Sequence, residues 1–252
     1  MPGSDLRWIE PDWPAPKHVR SASTLRQGGV SGGRYGSLNL GAHVGDHPAA
    51  VLENRRRLRA ALKLSTEPLW LNQVHGVAVA QPAWQTGRPP TADVCVYNGS
   101  AGGQRGVCAV LTADCLPVLF CDLAGTRVAA AHAGWRGLAA GVLARAVEAL
   151  GVPGDQLLAW IGPAIGPAAF EVGDDVVQAF TSVHAEAKSA FEPNSRGRWQ
   201  ADLAGLARQE LKRLGITRIH GVDRCTVSEP DCFFSYRRDG QTGRLATLIW
   251  LD

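Results

Sequence analysis

The chain has 252 residues, with 26 Lys and Arg against 23 Asp and Glu, a net charge of +3. So mild a surplus excludes a protein that works mainly by neutralising nucleic-acid phosphates. A content of 45% hydrophobic and 19% charged residues excludes wholesale disorder.

Along the chain, residues 1–19 show no basic start followed by an apolar stretch, so no secretory signal is expected and these residues read as an N-terminal extension. The glycine-rich run Arg26-Gln27-Gly28-Gly29-Val30-Ser31-Gly32-Gly33 can approach a ligand, but it fits neither the P-loop nor the dinucleotide pattern. A helix is predicted over 48–64, with Asp46 and Pro48 as entry signals and Val51, Leu58 and Leu62 on one face. Strands are predicted over 78–81, 106–111, 117–121 and 128–131. A second helix, 138–150, repeats Leu138, Val142, Ala146 and Leu150 and stops at Gly151. A strand over 158–161 opens the longest uncharged apolar stretch, 157–170, whose fourteen residues and two Gly-Pro steps are incompatible with a membrane span. Helices follow over 174–184, lining up Val176, Val177, Phe180 and Val183, and over 202–214, with Asp202 as N-cap and Gly215 as stop. Strands over 218–222 and 245–250 end the series. Strands mixed irregularly with helices predict an α+β or layered α/β fold rather than strict βαβ alternation. No composition break divides the chain, which reads as one domain over 1–252.

Six cysteines without a signal suit reduced thiols rather than a disulfide framework, and without a C-x-x-C pair there is no zinc ribbon. Cys108 and Cys121 lie in apolar strands and read as core; Cys225 and Cys232 flank a turn and stay unassigned. The stretch 91–95 echoes 112–115, which reads as chance. Three segments place a reactive side chain beside a Gly- or Pro-marked turn: Asn72-Gln73-Val74-His75-Gly76, Thr112-Ala113-Asp114-Cys115-Leu116-Pro117 and His132-Ala133-Gly134-Trp135-Arg136-Gly137. Two imidazoles and a thiolate form a donor set that suits Zn²⁺ and leaves a fourth position open, the catalytic arrangement. A second reading makes Cys115 a nucleophile and His132 its base, with no metal and no role for His75. Arg136, just before a helix start, suits an anion such as phosphate, although a surface turn is also a common place for an arginine.

Together with Gly28-Gly29-Val30-Ser31, Ser37-Leu38-Asn39-Leu40-Gly41, Ile161-Gly162-Pro163, Phe233-Phe234-Ser235-Tyr236-Arg237-Arg238 and Thr242-Gly243-Arg244, these segments carry a resemblance. Over about residues 20–252 the sequence resembles the laccase-domain, or peptidoglycan editing factor, family, also described as polyphenol oxidase-like and as purine nucleoside phosphorylases. Two positions depart from the family's usual pattern: Leu25 stands in place of Ser or Thr, and Phe170 in place of Tyr.

The resemblance implies an α+β fold with a layered, mixed β-sandwich core and flanking helices, similar to the catalytic domain of cytotoxic necrotizing factor. It implies zinc, with copper as the lesser choice, on His75, Cys115 and His132. The implied activity is phosphorolysis of adenosine, inosine or guanosine to base and ribose-1-phosphate, with adenosine deamination and methylthioadenosine cleavage beside it. Cys115, His132 and Asp114 are then the expected catalytic residues, with Asp93 as another candidate for moving protons. Arg26, Asn39, Gln73 and Arg136 are the expected contacts to nucleoside and phosphate. Alternative activities are an amidase that removes L-serine from muramoyl precursors and a copper-dependent polyphenol oxidase. A cytoplasmic monomer or homodimer, with neither nucleic acid nor membrane as partner, completes the expectation.

Overall fold

The computed structural model describes residues 6–82, 88–99 and 106–252, so residues 1–5 of the predicted N-terminal extension lie outside the described residues. In chain order the elements begin with strands β1 (Trp8–Ile9) and β2 (Val19–Thr24), helix α1 (Pro48–Ala61), then β3 (Val79–Ala80), β4 (Val94–Asn98), β5 (Val107–Thr112), β6 (Leu116–Asp122) and β7 (Arg127–Ala133). Next come α2 (Trp135–Ala139), α3 (Val142–Leu150), β8 (Leu157–Ile161), β9 (Glu171–Val172), α4 (Asp174–Thr181), β10 (Phe191–Pro193) and β11 (Trp199–Ala201). The series closes with α5 (Leu203–Arg213), β12 (Arg218–Gly221), α6 (Tyr236–Asp239) and β13 (Leu245–Leu251).

Two sheets carry the architecture. One has the order β1-β2-β13-β5 and the other β12-β8-β6-β7-β4-β3. The first is antiparallel throughout. The second is mixed, because β12 runs parallel to β8 and β3 parallel to β4. A third, small sheet has the order β10-β11-β9.

Alternation along the strands explains the layering. In β5, Cys108 and Val110 join Cys95, Leu119, Cys121, Ala130, Leu158 and Trp160 in a core between the two large sheets. The intervening Val107, Ala109 and Leu111 face the opposite way, into a core with Leu58 of α1 and with Leu38, Leu40 and Trp70. The outer face of the six-stranded sheet, including Val118, Phe120, Ala129 and Ala131, packs under Leu138, Val142, Leu143, Val177, Leu206 and Leu211 of α2 to α5. The result is a mixed α+β sandwich with helices on both outer faces. β5 and β6, buried at every position, read as plain apolar runs because both of their faces are covered.

The expected elements appear, with instructive differences. The helix expected over 138–150 is two helices, because Gly141 takes a left-handed φ of 89° that a residue with a Cβ rarely adopts. Gly151, with φ 65°, caps α3 as expected. α1 is capped not by Asp46 but by His47, whose Nδ1 accepts from Ala49 N; Asp46 instead accepts from Ser31 Oγ and Asn39 Nδ2. α4 ends at Thr181, which leaves Val183 exposed rather than inward. β2, β4 and the small sheet are additions to the expected elements, and β1 and Val19 tie part of the N-terminal extension into the sandwich. All six cysteines are free thiols, with Cys108 and Cys121 fully buried. Among the described residues no helix is long and apolar enough to cross a membrane.

Candidate metal centre

Cys115 occupies the turn between β5 and β6, and Asp114 before it takes a left-handed φ of 93°. Such a conformation is uncommon outside glycine and is held here by clamps on every side. Asp114 Oδ1 accepts from Thr226 Oγ1 at 2.5 Å, Oδ2 accepts from Arg237 N at 2.6 Å, and its carbonyl accepts from Ile165 N at 2.9 Å. Both carboxylate oxygens of this expected catalytic residue are therefore engaged in holding the turn that presents Cys115.

His132 lies within β7, one residue from its end, and is almost fully buried. His75 sits in the exposed loop before β3 with φ 61°. The ligand atoms that His75, Cys115 and His132 offer all lie within 4.8 Å of one another, so the group could hold a metal ion. Cys115 Sγ is 3.6 Å from His75 Nε2, matching the separation of about 3.5 Å between neighbouring ligands of a tetrahedral zinc. Gly134, between β7 and α2, supplies the room. A Cβ there would stand 2.6 Å from His75 Cδ2 and 3.1 Å from Cys115 Sγ. The donor set and this cradle both fit a small, borderline-soft cation.

Electrostatics favour the ligand form of Cys115 and, until a cation takes the place of a proton, the charged form of His132. Burial pushes the Cys115 thiol up, but the positive His132 and then His75 outweigh it and bring the thiol down to about 6. Burial would lower His132; the Cys115 thiolate and the hydrogen bond to Asp93 reverse this and raise it to about 9. Asp93, against its burial, is held below the usual carboxylate range by the hydrogen bond to His132 and the backbone N–H groups of Gly76 and Val74. His132 Nδ1 and Asp93 Oδ1 are 2.8 Å apart.

Two side chains, His43 and Arg244, lie close enough to interact electrostatically with the trio. Partial burial, then Arg244, Arg55 and His132, hold His43 below its ordinary pKa. Burial lowers Arg244, while Cys115, Asp114, Tyr236 and Tyr35 act in the opposite sense. Arg136 is exposed and stacks on Trp135, with its guanidinium carbon 4.3 Å from the ring centroid. Arg26 is tied to Gly36 O and Pro230 O and lies over the Phe234 ring. Leu25 packs with Phe233 and Phe234, and Phe170 lies beneath Arg237.

Two expected substrate contacts are spent internally. Asn39 is fully buried, donating to Gly41 O and Asp46 and accepting from Gly41 N and Arg244 N. Gln73 makes a reciprocal pair with the backbone of Leu111, at 2.8 and 2.7 Å. Both shape the loops around the trio.

The sequence profile of the family described as multi-copper polyphenol oxidoreductase laccase matches residues 20–252. The chain belongs to this family. A purine nucleoside phosphorylase of Pseudomonas aeruginosa is 56% identical over 247 residues, covering 97% of this chain and 98% of the relative. The Escherichia coli purine nucleoside phosphorylase YfiH is 53% identical over 243 residues, covering 96% and 98%. Among solved structures, a Neisseria meningitidis protein assigned to DUF152 matches with a TM-score of 0.91 at 52% identity, covering 97% of this chain and 99% of that one. YlmD from Geobacillus stearothermophilus matches with a TM-score of 0.86 at 30% identity, covering 97% and 96%.

Within this laccase-like frame, the residues least visible to sequence reasoning are His43, Arg244, Thr226 and the full role of Asp93. Asp93 lies in the stretch 91–95 whose echo of 112–115 reads as chance. Yet in both stretches the aspartate braces the turn that carries a ligand, and the echo was the available signal.

Proposed function

We propose that the chain is a zinc-dependent purine nucleoside phosphorylase, and the observation that carries this is the His75–Cys115–His132 cluster set beside His43, Arg136 and Arg244. Support comes from relatives of matching length that are named purine nucleoside phosphorylases. In phosphorolysis a phosphate oxygen bonds to C1′ as the C1′–N9 bond breaks; the electron pair leaves on the base, which takes up a proton. The protein must therefore hold an anion, exclude wrong orientations and stabilise charge appearing on the base.

His75, Cys115 and His132 would hold the zinc, which when bound supplies Lewis acidity to the pocket. Arg136 at the start of α2 and Arg244 offer the positive charge a phosphate needs, and His43, held below its ordinary pKa, adds a neutral imidazole beside Arg244. His132 Nδ1 stands 2.8 Å from Asp93 Oδ1, which leaves Nε2 to face the ion. Tyr236, which is 61% exposed at this edge, gives a purine an aromatic surface to lie on.

Adenosine deamination and methylthioadenosine cleavage belong to the same proposal as companion activities, as does a cytoplasmic monomer or homodimer. The donor set also suits hydrolysis of an amide such as a muramoyl-L-serine precursor. A several-copper oxidase centre needs more histidine donors than the single trio found among the described residues.

The test is a product-resolved assay on zinc-loaded protein with inosine, adenosine and guanosine, with and without phosphate. Hypoxanthine and ribose-1-phosphate should appear from inosine only when phosphate is present, and Cys115→Ser should abolish both. Base release that ignores phosphate, or no release from zinc-loaded wild type, sinks the proposal. Release of free serine from a muramoyl-L-serine precursor would favour the amidase.

A further inference from the structure

The side chain of Asp93 is wholly buried, yet four donors converge on its two oxygens. Oδ1 accepts from His75 N at 2.9 Å and from His132 Nδ1 at 2.8 Å. Oδ2 accepts from Gly76 N at 2.7 Å and Val74 N at 3.2 Å. The main chain of the same residue adds two more links: its carbonyl accepts from His132 N at 2.8 Å and its N–H donates to Ala78 O at 3.0 Å. One residue thus grips two of the three donors from both sides, whereas Cys115 is set independently by the Asp114 turn.

We propose that Asp93 is the positioning residue of the metal centre, fixing the proton of His132 on Nδ1 and the left-handed turn of His75 so that both imidazoles present Nε2 to one ion. The inference rests on the reading of the trio as a metal site. An imidazole can ligate only through a nitrogen that carries no proton. With Nδ1 donating to Asp93, Nε2 of His132 is free for that purpose. The three N–H groups of 74–76, part-buried in this loop, would lose their common acceptor if the carboxylate were absent. By satisfying them together, Asp93 offsets the strain of the positive φ at His75.

An amide in place of the carboxylate cannot do both tasks. If the side-chain amide of Asp93→Asn turned its NH₂ toward His132, it would donate to Nδ1 and drive the proton onto Nε2, the ligating atom. If it turned its NH₂ toward Gly76 and Val74, donors would face donors and the His75 loop would open. Asp93→Asn is close to isosteric, so it separates these hydrogen-bonding tasks from simple filling of space.

The experiment is competition for zinc against a chromophoric chelator, using wild type, Asp93→Asn and Asp93→Ala, with urea unfolding of the metal-free forms alongside. Both variants should bind zinc about 10- to 100-fold more weakly than wild type. A separate measurement needs no variant: a long-range ¹H–¹⁵N correlation spectrum of the zinc-loaded wild type should show the His132 Nδ1 proton far downfield, as a hydrogen bond to the Asp93 carboxylate requires. Ligation at Nε2 alone fixes the tautomer, so it is the downfield position of this proton that reports the bond to Asp93, which a role in fold stability alone does not require. Variants that hold zinc within about threefold of wild type, or a His132 Nδ1 proton with no downfield shift, overturn the inference while leaving the metal reading intact. Wild type that takes up no zinc overturns the metal reading itself, and this one with it. Should the variants fail to fold, the wild-type spectrum decides.

Discussion

Gly134→Ala turns the cradle between the ligands into a measurable obstruction. The backbone of Gly134, at φ −63° and ψ 156°, is one that alanine adopts without strain. The new methyl would instead meet His75 Cδ2 at 2.6 Å and Cys115 Sγ at 3.1 Å. Reaching ordinary van der Waals contact at 3.4 Å requires the imidazole to move by 3.4 − 2.6, or about 0.8 Å. In the metal-free protein that movement costs little, because the His75 side chain is exposed and can swing aside. With zinc bound it is prohibitive, since ligand distances tolerate only about 0.2 Å. The His75 backbone cannot follow, because its N–H is tied to Asp93. Zinc sites with four protein ligands bind with about 12 kcal/mol, or about 3 kcal/mol per ligand, and at that rate losing His75 weakens zinc by about 10²-fold. Unfolding of the metal-free variant should stay within about 1 kcal/mol of wild type. Chelator competition and urea denaturation read the two effects separately. Zinc affinity equal to wild type, or a large loss of metal-free stability, would refute the argument from the cradle.

Other expectations test other levels of the structure. In metal-free protein the Cys115 thiol is lowered to about 6 by His132 and His75 acting against burial. Its ultraviolet thiolate absorbance should therefore be present at neutral pH and disappear as the pH falls through about 6, with Cys115→Ser lacking the transition; a midpoint near the ordinary thiol value of about 8.5 contradicts the pairing. Thr226→Val leaves Asp114 Oδ1 without its 2.5 Å donor. Urea unfolding should register a loss of about 1–3 kcal/mol, and an unchanged midpoint would deny the clamp on the Cys115 turn. Asp202 accepts from Gly205 N at 2.8 Å as the N-cap of α5, so Asp202→Ala should cost about 1 kcal/mol in the same assay.

What the sequence made legible divides by the range of the interaction. α5 could be read almost to the residue because Asp202 and Gly215 act within their own turns. The single helix expected over 138–150 misleads because Leu138, Val142, Ala146 and Leu150 are spaced by four through the break; all four are buried, on two helices hinged at Gly141. β2 escapes notice because Ser23 and Thr24 look like loop residues. They are buried only because Thr247 Oγ1 and Ala246 N, more than two hundred positions away, provide their partners. The same division runs through the candidate site. His75, Cys115 and His132 stand beside Gly- or Pro-marked turns that local reasoning can see. The grip of Asp93 on two of them exists only once β4, β7 and the 74–76 loop meet. Asn39 and Gln73, expected to contact ligand, show the converse: residues of recognisable motifs serve to lace loops together.

The place of β13 carries a consequence for how the protein is made. It follows every other described strand in the chain, yet it lies between β2 and β5 and pairs with both. During synthesis, the paired edges of β2 and β5 must wait for the strand that will join them. The inner faces of both large sheets wait with them. Until then the growing chain presents apolar strands with unsatisfied edges, the form most prone to sticking to its neighbours. All three residues of the trio have been made by that stage. The last described strand to be made is thus a central one, and the sheet can close only after residues 245–251 have joined the rest.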